Sequence, residues 1–277
     1  MNLSSIREGE LKDVFDAVEE AFNATGTDYY IIGAVARDIW YSRGSKTMRQ
    51  TKDVDFAVLV GSQENYEAVK QYLKENKNFV DTRGNSFVML TPSGVQVDIL
   101  PFGEIEIDDG VSIAGGGLTS IKVNGFMEVY QSGTEEVEME TGHNFKIATL
   151  PSIVLLKLIA FDDRPEKRSK DARDIANIIS HFFDLQADLI YEKHTDLFAD
   201  EANDQSLEEI AATVIGREIK KICVSNESLM ERLKKILQSH IDLKDESSFI
   251  RNMVAETGGT VEMSVQLLQN IRLSLND

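Results

Sequence analysis

Leu11, Val14, Phe15, Val18 and Phe22 recur at the three- and four-residue spacing of one helix face, so residues 4–25 are expected to form an amphipathic helix, with Ser4 or Ser5 as its cap. Tyr29-Tyr30-Ile31-Ile32 is a short apolar run that stops at Gly33, the pattern of a buried strand running into a turn. Helical spacing returns over 34–42, and the polar stretch RGSKTMRQTK at 43–52 reads as a loop. VDFAVLV at 54–60 predicts a strand, and Tyr66, Val69, Tyr72 and Leu73 predict an amphipathic helix over 63–76. Phe87–Leu90 and Val95–Leu100 flank Thr91-Pro92-Ser93-Gly94, which predicts a hairpin. From 103 to 149 the pattern stays β-like and turn-rich, with Gly115-Gly116-Gly117 marking a loop.

After Pro151 the pattern changes. Ile153–Phe161, 171–182, 206–222, 226–241, 246–256 and 261–273 all carry helical spacing, and Pro and Gly become scarce. The chain therefore divides into an α+β domain over 1–150, expected to hold a mixed β-sheet with helices, and an all-α helical domain over 151–277. No internal repeat is visible.

Length and composition fit this division. The chain has 277 residues, 42% of them hydrophobic and 27% charged, enough to bury a core in each half. Its one cysteine, Cys223, forbids an intrachain disulfide and suits a reducing compartment; a cytoplasmic location is expected. The N-terminal residues show no secretory signal, and no run of about 18 apolar residues predicts a membrane span. A net charge of −18 disfavours bulk nucleic acid except at a local basic patch. Nine acids and one base fall between 101 and 140, which reads as a solvated face.

Two segments change the picture. Asp53 and Asp55 stand two residues apart at the start of a strand, so both carboxylates lie on one face. Asp98 alternates with Val97 and Ile99 on another predicted strand, and three carboxylates converge if the two strands are neighbours. Close carboxylates repel, and hard oxygen donors with no Cys or His nearby favour Mg²⁺ or Mn²⁺. Upstream, the strand–Gly33–helix turn offers backbone N–H groups for phosphate. Arg37, Arg43, Lys46, Arg49 and Lys52 gather around it. A solvent-facing Asp pair and a solvated basic loop remain the plainer alternatives. The second segment is the helix at 153–161, apolar all round except for Lys157. A lysine there must reach solvent, pair, or lose its proton, and Asp171 and Asp174 share a later helix face as candidate partners. The four histidines show no ligand spacing, and Gly115–Gly117 lacks the Lys-Ser/Thr of a P-loop.

The order strand–Gly33-Ala34–helix, then Asp53-Val54-Asp55, then Asp98 on a neighbouring strand resembles the nucleotidyltransferase fold of the polymerase β superfamily. With Leu155-Leu156-Lys157-Leu158, Asp163-Arg164 and Lys170-Asp171-Ala172-Arg173-Asp174, the chain resembles the AbiEii/AbiGii toxin family of nucleotidyltransferases more closely. These motifs cover about 29–179; the remainder matches only as a helical bundle. The resemblance implies a nucleotidyltransferase-like domain followed by a helical domain. It implies metal-dependent transfer of a nucleoside monophosphate from an NTP to an acceptor hydroxyl, with Asp53, Asp55 and Asp98 on Mg²⁺ or Mn²⁺. Gly33, Ala34, Arg37 and Lys157 would bind nucleotide, and Lys157 and Asp171 would belong to the active site. It points to tRNA or another translation component as acceptor and to a separate antitoxin protein as partner. The family often has Ser where this chain has Ala34, which removes a hydroxyl from the triphosphate site. A small-molecule, antibiotic-type nucleotidyltransferase and a non-catalytic nucleotide-binding protein of the same fold are the alternatives.

Overall fold

The computed structural model describes residues 8–44, 53–139, 142–199 and 205–276, which fall into two compact units. The first runs to Tyr130 and includes Thr134–Thr149; the second takes Gln131–Gly133 and everything from Leu150.

The first unit is built on helix α1 (Glu8–Thr25), strand β1 (Asp28–Ile32), α2 (Gly33–Arg43), β2 (Asp53–Leu59) and α3 (Gln63–Lys77). There follow β3 (Val80–Asp81), β4 (Val88–Leu90), β5 (Gln96–Phe102), β6 (Gly110–Ser112), β7 (Ser120–Lys122), α4 (Phe126–Ser132), β8 (Thr134–Glu138) and β9 (Asn144–Ala148). Seven strands form one mixed sheet in the order β3-β4-β5-β2-β1-β9-β8. The β2–β5 and β1–β9 pairings are parallel and the others antiparallel. The expected hairpin across Thr91–Gly94 is present as β4–β5, and Gly115–Gly117 lies in the β6–β7 loop. The β-like reading of 103–149 needs one correction: Phe126–Ser132 is helical. Phe126 and Val129, three apart, are buried, but FMEVYQS is too short and too rich in aromatic and β-branched residues to announce a helix.

Alternation along the strands gives the sheet two unlike faces. On one, Phe15 and Phe22 of α1 meet Phe56 edge-on at 6.5 and 5.8 Å, and the Tyr66 hydroxyl of α3 donates to the Ile99 carbonyl at 2.9 Å. Burial pushes the Tyr66 phenol far above its usual range, so it acts as a donor at any ordinary pH. On the other face, Tyr30, Phe102 and Phe126 pack together, and Tyr30 donates to the Phe126 carbonyl at 2.9 Å. Asp53, Asp55 and Asp98 belong to this second face, toward the opposite end of β2 and β5 from the aromatic cluster.

The second unit contains α5 (Leu150–Asp163), α6 (Ser169–Leu185), α7 (Ala187–Lys193), a 3₁₀ turn (Thr195–Phe198), α8 (Leu207–Ile222), α9 (Glu227–Leu243), a second 3₁₀ turn (Lys244–Glu246), α10 (Ser248–Thr257) and α11 (Val261–Ser274). Helix α5 is buried on nearly every side, as its composition requires. Ser206 and Glu209 close a capping box on α8, and Ser247 and Thr260 cap α10 and α11. At Gly216 of α8 the α11 backbone comes so near that a Cβ would press on Ile271 and Ser274. The expected cap of α1 at Ser4 or Ser5 lies outside the described residues. Among the described residues no helix is long and apolar enough to cross a membrane.

Candidate active site

Parallel pairing of β2 with β5 sets Asp53 opposite Gln96 and Asp55 opposite Asp98. Strand alternation turns all four toward the same face, and neighbouring strands lie about 4.8 Å apart. The side chains are half-buried, at the edge of the sheet's apolar interior. Gln96 donates its amide Nε2 to Asp98 Oδ1 at 2.8 Å.

Gly33 closes the block from the next strand. It follows Ile32, which pairs with Asp55, and it turns the chain from β1 straight into α2. Its φ of +68° is a conformation that favours glycine, and a Cβ there would collide with Asp55 Oδ2. Only glycine lets the first turn of α2 begin against that carboxylate. The residue before this helix, Ile32, has no side chain that can cap it, and Gly33 and Ala34 provide the first N–H groups.

Arg37 is buried on the same helix. Its Nε and Nη2 donate to Asp38 Oδ1 at 3.0 and 2.8 Å, and its guanidinium lies 5.8 Å from the Tyr41 ring centre. The structure thus shows a local ion pair at Arg37. Arg43 stacks over Trp40 at 4.4 Å and pairs with Glu135 at 3.3 Å. Lys46, Arg49 and Lys52 lie outside the described residues.

In the helical unit, Lys157 Nζ donates to Asp171 Oδ1 and Asp174 Oδ2, each at 2.8 Å. Burial opposes the ammonium charge, but the two carboxylates outweigh it and hold the Lys157 pKa above its usual value. Asp171 Oδ2 is buried and accepts no hydrogen bond among the described residues; Arg168 Nη1 stands 3.8 Å from it.

The donor set of Asp53, Asp55 and Asp98 suits a hard divalent cation: all oxygen, anionic and adjacent by register. Among the described residues, however, no three His, Cys, Asp or Glu side chains are drawn together into a ready ligand cage. Sequence reasoning misses Gln96, although a glutamine two positions before an aspartate on a strand necessarily shares its face.

A DxD strand, a partner strand carrying a third aspartate and a glycine-started helix against them accord with the nucleotidyltransferase resemblance of the sequence. The chain belongs to the family described as nucleotidyl transferase AbiEii toxin, type IV TA system, whose model matches residues 39–246. Asp53, Asp55, Asp98, Lys157 and Asp171 fall inside that span, while Gly33, Ala34 and Arg37 precede it. Among solved structures the chain is similar to the antibiotic-resistance factor ANT(2'')-Ia, at 12% identity over 83% of this chain and 96% of that one, with a TM-score of 0.40. It is also similar to an antigenic nucleotidyltransferase-like protein from Paracoccidioides brasiliensis, at 18% identity over 69% of this chain and 92% of that one, with a TM-score of 0.39. No curated protein matches the sequence.

Proposed function

We propose that this nucleotidyltransferase moves a nucleoside monophosphate from an NTP to an acceptor hydroxyl in a reaction that requires Mg²⁺ or Mn²⁺. The observation that carries this reading is the β2–β5 register, which puts Asp55 beside Asp98 while Gly33 packs its backbone on Asp55. Asp53, Asp55 and Asp98 would hold the divalent cation. Bound there, it would neutralise carboxylate and phosphate charge and act as a Lewis acid on the reacting phosphoryl group.

The remaining work falls to the chain's own groups. The N–H groups of Gly33 and Ala34, at the positive end of α2, bind triphosphate oxygens and orient the α-phosphorus. Asp98 takes the proton of the acceptor hydroxyl as its oxygen attacks that phosphorus in line. The new O–P bond replaces the bond to the leaving pyrophosphate. Arg37 supports the triphosphate from the first turns of α2. Lys157 adds a cation for nucleotide, with Asp171 orienting it. The family's description as the toxin of a type IV toxin–antitoxin system supports a separate antitoxin as partner; tRNA or another translation component is the acceptor that the sequence resemblance suggests.

Thermal unfolding with NTP and Mg²⁺, singly and together, tests the site. Together they are expected to stabilise by about 2.7 kcal/mol at 100 times Kd, and neither does so well alone. D53N abolishes the synergy. K157R keeps the ion pairs but displaces the charge, and it is expected to raise the NTP concentration needed while preserving the metal requirement. Absence of any shift with every NTP at millimolar Mg²⁺ overturns the reading. Radiolabel transfer from NTP into a tRNA fraction, or its absence there, decides the acceptor.

A further inference from the structure

We propose that Gln96 is a positioning residue for Asp98, holding its carboxylate in the orientation that receives the divalent cation; this rests on the metal-dependent reading above. The four side chains on this part of the sheet form a two-by-two block, Asp53 and Asp55 on β2 against Gln96 and Asp98 on β5. Three corners are acidic and the fourth is an amide. The hydrogen bond from Gln96 Nε2 to Asp98 Oδ1, at 2.8 Å, ties the fourth corner to the third.

The chemistry at this corner is selective. A carboxylate only accepts, so the amide must turn its nitrogen to Asp98 and its oxygen elsewhere. The carboxylate's terminal torsion is broad and two-fold, so it has no strong orientation of its own, and the hydrogen bond from Gln96 helps to set it. A neutral donor orients Asp98 without cancelling its charge. Lysine or arginine at position 96 would place a permanent cation where the metal is needed, and glutamate would add a fourth like charge. Partners of this kind typically set metal affinity or activity by 10- to 100-fold.

The test compares full-length wild type, D53N, D98N, Q96A, Q96M and Q96N. Mn²⁺ binding is followed by loss of the free-ion electron paramagnetic resonance signal, in the presence of a non-hydrolysable NTP. Methionine matches glutamine in length and bulk but donates nothing. Q96A and Q96M are expected to need about tenfold more Mn²⁺ for half-saturation, whereas Q96N, which keeps an amide donor, is expected to lie closer to wild type; kcat is expected to fall in Q96A and Q96M while KM for NTP holds. Their metal-free melting temperatures are expected to stay at the wild-type value. Wild-type Mn²⁺ affinity in Q96M overturns the proposal, because the residue then serves only as volume. If Q96M fails to fold, wild-type affinity in Q96A overturns it in the same way. These outcomes leave the metal reading standing where wild type binds Mn²⁺ and D53N and D98N do not. If wild type takes up no Mn²⁺, or D53N binds it equally well, the metal reading and the role of Gln96 fall together.

Discussion

In the sheet unit, carboxylates are gathered by strand register; in the helical unit, they are gathered by helix spacing. Asp53 and Asp55 share a face because a strand repeats every two residues, and Asp98 joins them because β5 lies in register beside β2. Asp171 and Asp174 share a face because they are three apart on α6, and Lys157 of α5 inserts its ammonium between them. The first arrangement puts like charges side by side. The second carries its own cation, which offsets one of its two negative charges. Acidic residues thus gather by two routes that differ in their electrostatics.

The comparison breaks first on activity. D53N or D55N is expected to lower transfer by roughly a hundredfold or more, since each weakens a metal contribution of several kcal/mol. Circular dichroism and melting temperature should stay near wild type. Retained transfer in both variants removes them from the metal site. K157M is expected to differ by losing stability as well as nucleotide affinity. It leaves two buried carboxylates without their cation and should cost about 3–5 kcal/mol in denaturant unfolding. Adding D171N and D174N to K157M should restore much of that loss; a triple variant no more stable than K157M would show that charge is not what the triad balances.

A smaller effect is expected at Gly33. G33A forces an L side chain into positive φ and against Asp55, at a strain cost of about 1–3 kcal/mol. If Asp55 moves aside to make room, transfer should fall further than stability. G33A with wild-type turnover would mean that the α2 start and Asp55 need not touch.

The smallest effect concerns pH and belongs to the helical unit alone. His240 stacks on Phe249 at 4.6 Å, its Nδ1 meets Ser247 Oγ at 3.1 Å, and its buried Nε2 has no hydrogen-bond partner among the described residues. Burial lowers its pKa, and Asp162 opposes that only in part. A histidine kept neutral in the folded state contributes full stability above its unfolded pKa of about 6.5 and loses it as pH falls below that value. The melting temperature should therefore drop in mild acid, and H240F should flatten the drop. An H240F profile parallel to wild type would assign the acid sensitivity to other groups.

Much of this is legible in the sequence because it is local. The helices α1, α3, α5, α6 and α8–α11 announce themselves by three- and four-residue spacing, and the Thr91–Gly94 turn announces β4–β5. The partners of Lys157 are readable too, since two acids three apart on a helix face have a known geometry. What is not legible depends on neighbours distant in sequence or on segments too short to show a period. Helix α4 has seven residues, α7 has seven, and β3 has two. That Asp98 faces Asp55 follows from a parallel pairing that no local pattern encodes. Gln96 is hidden for a different reason: an amide carries no charge to draw attention, and its value appears only when its strand face is known.

The sheet consists of three antiparallel groups close in sequence, β3–β4–β5, β1–β2 and β8–β9, joined along two parallel seams, β2–β5 and β1–β9. Each group can form early, because little chain must be closed to make it; the seams join distant segments and carry a larger loop-closure entropy cost. Asp55 and Asp98 meet across one of those seams. A growing chain on the ribosome therefore holds Asp98 apart from Asp53 and Asp55 until β5 has been synthesised and docked, and the shared carboxylate face comes into being as a late event of folding, at the joint between parts that were already made.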